Sequence, residues 1–108
     1  LDGNGYPQKI ITPGQENLVD ASGVIAATGV AQVLLAANAN RSGFILQNDG
    51  SHNMEINDLG VATTTPTANN GSFVVVPGAY FPPAGYPVST GAISIIGNTN
   101  DAYTVRAW

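Results

Sequence analysis

A chain of 108 residues has room for one domain, and a domain this long hides about two thirds of the surface that its unfolded form exposes. Only 9% of its residues are Asp, Glu, Lys or Arg, against about 25% in an ordinary domain, so the polar surface falls to Asn, Thr, Ser, Gln and Gly. Three scattered cations (Lys9, Arg41 and Arg106) and a net charge of −4 exclude the clustered basic footprint that nucleic acid or an anionic membrane requires, and the lack of cysteine excludes disulfides and thiolate metal sites.

Residues 1–22 are punctuated by Gly3, Gly5, Pro7, Pro13 and Gly14 and keep no period of two or 3.6. They read as an extended N-terminal arm with one pairing segment, Lys9-Ile10-Ile11-Thr12, stopped by Pro13-Gly14. Arms of this kind are either loose ends or segments laid along a neighbour. The chain opens on Leu1 without methionine, which predicts processing or a longer parent product. From residue 23 onward a single β domain is expected.

The stretch 23–40 has the Ala, Leu and Gln content of a helix, but Gly29 interrupts it and it is apolar nearly all round. Two strands, 23–28 and 30–37, are the preferred reading. Ser42–Gln47 and Asn53–Asn57 flank Asn48-Asp49-Gly50-Ser51, and Asp-Gly is a strong tight-turn signal, so a hairpin is predicted. Met54 and Ile56 share one face of its second strand, Glu55 and Asn57 the other. Residues 59–72 are too polar and broken for core. Phe73–Val76 is a β-branched strand ended by Pro77-Gly78, and 80–87 is extended and rich in aromatic residues and proline. Ile93–Ile96 and Ala102–Ala107 are expected to form a last hairpin, with Tyr103, Val105 and Ala107 on one face. Short strands at intervals of about 8 to 15 residues point to an all-β fold, a small antiparallel β-sandwich or jelly-roll-like barrel. No apolar run approaches the roughly 20 residues of a membrane helix.

The inventory for chemistry is thin. His52 is the only histidine and sits at a turn. Of the carboxylates that could act in pairs, Glu16 and Asp20 fall in the arm and Asp49 and Asp101 in turns, leaving Glu55 and Asp58 near a strand. Asp2-Gly3-Asn4-Gly5 opens like a calcium loop, but Tyr6 and Pro13 occupy places where an EF-hand needs oxygen ligands. A looser set for calcium is Asn48, Asp49, Asn57 and Asp58. No phosphate-binding loop or dinucleotide fingerprint occurs. Catalytic, cofactor and metal residues are therefore expected to be none. Tyr80, Phe81 and Tyr86, with Trp108, read either as cover and interface anchors or as a sugar-stacking platform.

The segment Val33–Asn48, VLLAANANRSGFILQN, resembles a pattern in small structural proteins of tailed bacteriophages. There one strand ends in an Ala-Asn-x-x-Arg turn and the next in Ile-x-Gln-Asn. Val76-Pro77-Gly78-Ala79-Tyr80, Gly91–Gly97 and the closing Arg106-Ala107-Trp108 are similar to that group as well, so the likeness spans about 30–108. Asn38 and Asn40 suit a turn, and Arg41 can fork onto carbonyls or a carboxylate to pin the corner. The resemblance implies a virion protein, foremost a capsid decoration (cement) protein on the capsid surface, otherwise a head-fibre base or a tail accessory. Such a protein would be a homo-oligomer, expected as a trimer, partnered by the major capsid protein or another virion protein. Tyr6, Ile10, Ile11, Tyr80, Phe81, Tyr86 and Trp108 are the candidate interface. The alternative is a carbohydrate-binding or receptor-binding β-sandwich module of a tail fibre or spike.

Overall fold

Alternating side chains give each strand one apolar face, and such a face must be buried against another. The computed structural model describes residues 18–108; the predicted pairing segment 9–12, Tyr6, Ile10 and Ile11 lie outside the described residues. Those described form β1 (Val19–Asp20), β2 (Gly23–Val24), β3 (Gln32–Leu35), β4 (Phe44–Asn48), β5 (Met54–Asn57), β6 (Phe73–Val75), β7 (Tyr80–Phe81), β8 (Ile93–Ile96) and β9 (Ala102–Ala107), with no helix among them. The end of the predicted arm is part of the sheet: Val19 and Asp20 pair with Ala107 and Arg106.

One sheet runs β1-β9-β4-β7, with β2 also on β9, and the other runs β3-β8-β5-β6. All pairings are antiparallel. β1 and β2 lie end to end on the same edge of β9. They are separated where Ala21 N–H bonds the Val105 carbonyl and Ser22 Oγ accepts from Val105 N–H. Counted as one strand, they make the first strand pair with the last, the second with the seventh, the third with the sixth and the fourth with the fifth. A long hairpin folded on itself in this way is a jelly roll, a double-sheet solution to the problem of exposed edges. The all-β sandwich expected from the sequence is the fold observed.

The two predicted hairpins are corrected by this topology. β4 and β5 flank the Asp-Gly turn as expected, yet β4 pairs with β9 and β7 while β5 pairs with β6 and β8, in the other sheet. β8 and β9 are likewise in different sheets. Both turns are arches that carry the chain over the end of the sandwich. Asn48 explains the first: it points inward at the end of β4, and its Nδ2 donates to the carbonyls of His52 and Val75, the latter in the opposite sheet. Its Oδ1 accepts from Gly50 N–H at 2.8 Å. A fully buried amide with both donors and its oxygen engaged turns the chain across the sheets instead of back along β4.

The core lies between Phe44, Leu46, Phe81, Tyr103 and Val105 of one sheet and Leu35, Met54, Ile56, Val75, Ile93 and Ile95 of the other, with Ile25 sealing the arch end. The faces assigned to Met54/Ile56 and Tyr103/Val105/Ala107 are the buried ones. Gly29 ends the 23–28 segment in a turn with φ of 74°, a conformation glycine adopts freely.

Candidate docking surface

At the end opposite the arches, the corner between β3 and β4 is built by the Asn-x-x-Arg element. Asn38 Oδ1 accepts from Asn40 N–H at 2.9 Å, and Asn38 N–H reaches the Thr90 carbonyl at 2.8 Å. Arg41 is buried and donates to the carbonyls of Ala36 at 2.5 Å, Ser89 at 2.7 Å and Gly91 at 3.0 Å. Of the two acceptor types expected, the guanidinium takes carbonyls. Burial lowers its pKa from the usual arginine value.

The strap 86–92, which carries the chain from β7 to β8, is held from its other side by Asp58. Asp58 is buried, and its Oδ2 accepts from Tyr86 Oη at 2.9 Å and from the Ser89 hydroxyl. Burial, and then the hydrogen bond and charge of Asp58, raise the Tyr86 phenol pKa and keep it protonated as a donor. Ser89 is thus clamped between a cation on its carbonyl and an anion on its hydroxyl.

The 59–72 loop, too polar and broken for core apart from buried Ala62, is nonetheless anchored by hydrogen bonds. Asn57, 4% exposed, donates to the Val61 carbonyl and to Asn70 Oδ1, and its own Oδ1 accepts from the N–H groups of Leu59 and Gly60, each at 2.9 Å. Ala62 is buried, and its N–H bonds Ser94 Oγ on the outward face of the β3-β8-β5-β6 sheet. Between this loop and the strap runs a trough of about 810 Å³, floored by Gln32, Val33, Ile93 and Ser94. Its rim is aliphatic and exposed: Leu59 at 94%, Val61 at 66% and Val88 at 53%, with Val33 below at 67%. The four buried polar residues of the described chain are Arg41, Asn48, Asn57 and Asp58. Three of them hold the walls of this trough.

Charge is distributed to match. Residues 59–100 contain no Asp, Glu, Lys, Arg or His. Asp49, His52 and Asp101 sit at the arch end, Asp20 and Arg106 pair at 2.9 Å on the outside of the other sheet, and Glu55 is half-buried on β5, where burial raises its carboxyl pKa. At the strap end the charges are the buried Arg41 and Asp58, which cancel. A scan against protein-family models finds no match, and searches of curated proteins and of solved structures find none either.

The predicted aromatic group is split by the fold. Phe81 is buried in the core, and Tyr86 packs edge-on against it and Phe73, with centroids 5.3 and 5.9 Å away. Tyr80 points the other way, 62% exposed on the outer face of the β1-β9-β4-β7 sheet beside Gln47. Trp108 is 39% exposed; its backbone pairs with Gly43. The four residues do not form one platform. The calcium set is divided as well, with Asn48 and Asp49 at the arch end and Asn57 and Asp58 at the strap end. Among the described residues no three His, Asp or Glu side chains gather as a metal site. His52 Nδ1 meets both Asp101 Oδ2 at 2.9 Å and Ser51 Oγ at 3.3 Å. Serine and acid on the same ring nitrogen is not the relay in which each nitrogen serves one partner. The pair joins the two arches, and Asp101 also accepts from His52 N–H.

Sequence reasoning found Arg41 through its motif, named Asn57 and Asp58 only as candidate calcium ligands with Asp58 also a candidate carboxylate, and missed Leu59. The signal for these three was the long uncharged run after Asp58, which gives the buried acid no nearby cation in sequence.

Proposed function

We propose that this protein works by docking and not by catalysis, as a virion structural protein that stabilises a capsid by binding its surface as a homo-oligomer. One observation carries the docking part: a rigidly walled trough whose exposed residues are uncharged, with Leu59, Val33, Val61 and Val88 open to solvent. Exposed aliphatic groups clustered this way mark interaction sites, and interface cores are depleted in charge. The virion setting rests on the resemblance alone; the Asn-x-x-Arg corner has the fold role that its residue chemistry implies, which any protein with such a corner would share. Residues 1–17, outside the described part, are the proposed tether to the major capsid protein.

The rival, a sugar-binding or receptor-binding module, would have to rest on Tyr80 and Trp108, because Phe81 and Tyr86 are committed to packing. Copelleting of the full chain with capsids that lack it tests the proposal. Binding should saturate at a fixed ratio to the capsid subunit and raise the capsid melting temperature. Absence of binding, together with turnover of a glycan or ester by the purified chain, would overturn it.

A further inference from the structure

We infer that the trough is the contact between copies of this chain, with the Leu59–Val61 ridge of one copy seated in the trough of its neighbour. The inference deepens the assembly reading above and rests on it only for the idea that the protein docks.

Three observations lead there. The first is electrostatic. Copies with a net charge of −4 repel one another. The surface made by 59–61, 87–94 and β3 adds little to that repulsion, because every exposed residue on it is uncharged and buried Arg41 offsets buried Asp58. A partner with a basic or acidic patch would gain nothing from such a face, whereas a second copy meets it without a penalty.

The second observation is shape. A leucine 94% exposed stands on the rim of an aliphatic hollow. Knob and hole therefore lie side by side on one face of one molecule. Copies can then exchange them reciprocally about a two-fold axis, or pass them head to tail around a closed ring.

The third is rigidity. Asn57 Oδ1 fixes the backbone of Leu59 and Gly60, while Arg41 and Asp58 fix the strap. Little ordering entropy remains to be lost when the two surfaces meet, which is the condition under which a small apolar contact binds well.

Sedimentation velocity on the full chain tests this. The wild type should be a discrete oligomer. Leu59→Asp should weaken self-association by on the order of a hundredfold, since it removes a buried leucine and places like charges in the contact. Its thermal midpoint, measured under conditions where both proteins are monomeric, should be unchanged, because Leu59 makes no core contact. Val33→Asp on the trough floor should act in the same direction, while Val74→Asp, exposed on β6 at the far edge, should leave the oligomer intact.

A monomeric wild type overturns the inference, as does an oligomer that survives Leu59→Asp. If Ile10→Asp with Ile11→Asp dissociates the oligomer as well, the occupant is the neighbour's N-terminal segment and the ridge-in-trough contact is wrong. The two readings fail separately. A monomer that binds capsids sinks only the self-contact, and an oligomer broken by Leu59→Asp that ignores capsids sinks only the decoration role.

Discussion

Replacing Arg41 by alanine removes three charge-assisted hydrogen bonds at once, to the carbonyls of Ala36, Ser89 and Gly91. Taken singly, bonds to a charged group contribute about 1.5–3 kcal/mol each, so a simple sum would be roughly 5–9 kcal/mol. That sum overstates the loss. Ala36 and Gly91 are exposed residues whose carbonyls can turn to water, whereas Ser89 is half-buried. One bond's full loss, plus the packing of the buried arginine stem, leaves about 3 kcal/mol, a large part of the roughly 5–15 kcal/mol that holds a domain together. In urea, at a slope near 1.5 kcal/mol/M, the midpoint should fall by about 2 M with the slope unchanged. Arg41→Lys should recover only part of this, because an ammonium is a compact charge and cannot fork onto three separated carbonyls. A loss below about 1 kcal/mol for Arg41→Ala would refute the view that this cation pins corner and strap together.

Asn48→Asp should cost at least about 3 kcal/mol by the same denaturation assay, because it sets a carboxylate against the carbonyls of His52 and Val75 in a fully buried position. Asp101 gives a pH dependence. Burial alone would raise its pKa, but the bonds from His52 and Ser51 prevail and hold the carboxyl below its ordinary value. A depressed folded-state pKa stabilises the protein above the unfolded value, near 3.9, and that stability is lost as pH falls through the folded value. Thermal melts should therefore show an acid limb beginning below about pH 4 that is shallower in Asp101→Asn. Tyr86→Phe should cost about 1 kcal/mol in the same denaturation assay, because Asp58 loses the Tyr86 hydroxyl as a donor.

Alternation was enough to assign the inward faces of β5 and β9, because period two is set by the strand itself and needs no knowledge of partners. Turn chemistry was enough to place the reversals at Asn48–Ser51 and Gly97–Asp101. It could not tell a hairpin from an arch, since Asp-Gly bends the chain equally well in both; the choice depends on whether Asn48 finds acceptors in the opposite sheet, and Val75 is distant in sequence. Asn57 and Asp58 posed the same difficulty. In sequence they look like surface turn formers, and only the return of the strap brings Tyr86 and Ser89 to them. The aromatic run 80–86 was read as one group although adjacent strand residues point to opposite faces, so Tyr80 and Phe81 had to part company.

A jelly roll sends the chain from sheet to sheet at nearly every connection, and each crossing exposes or buries backbone groups that no ladder can satisfy. Here the connections at the strap end, the two crossings and the β5–β6 loop, are satisfied by Arg41, Asn57 and Asp58, buried side chains that reach carbonyls, amides and hydroxyls of the connecting segments. Because those segments are also the walls of the trough, the groups that stabilise the fold are the groups that shape the proposed docking face. Fold stability and docking should then be coupled in one direction only. Loosening Arg41 or Asn57 should weaken both, through the backbone of the walls, while changes at Leu59 should weaken docking alone. A protein with few ionic side chains can work this way if, as among the described residues, its charges are buried at the corners or set outside the trough, on the arch end, on β5 and on the opposite sheet.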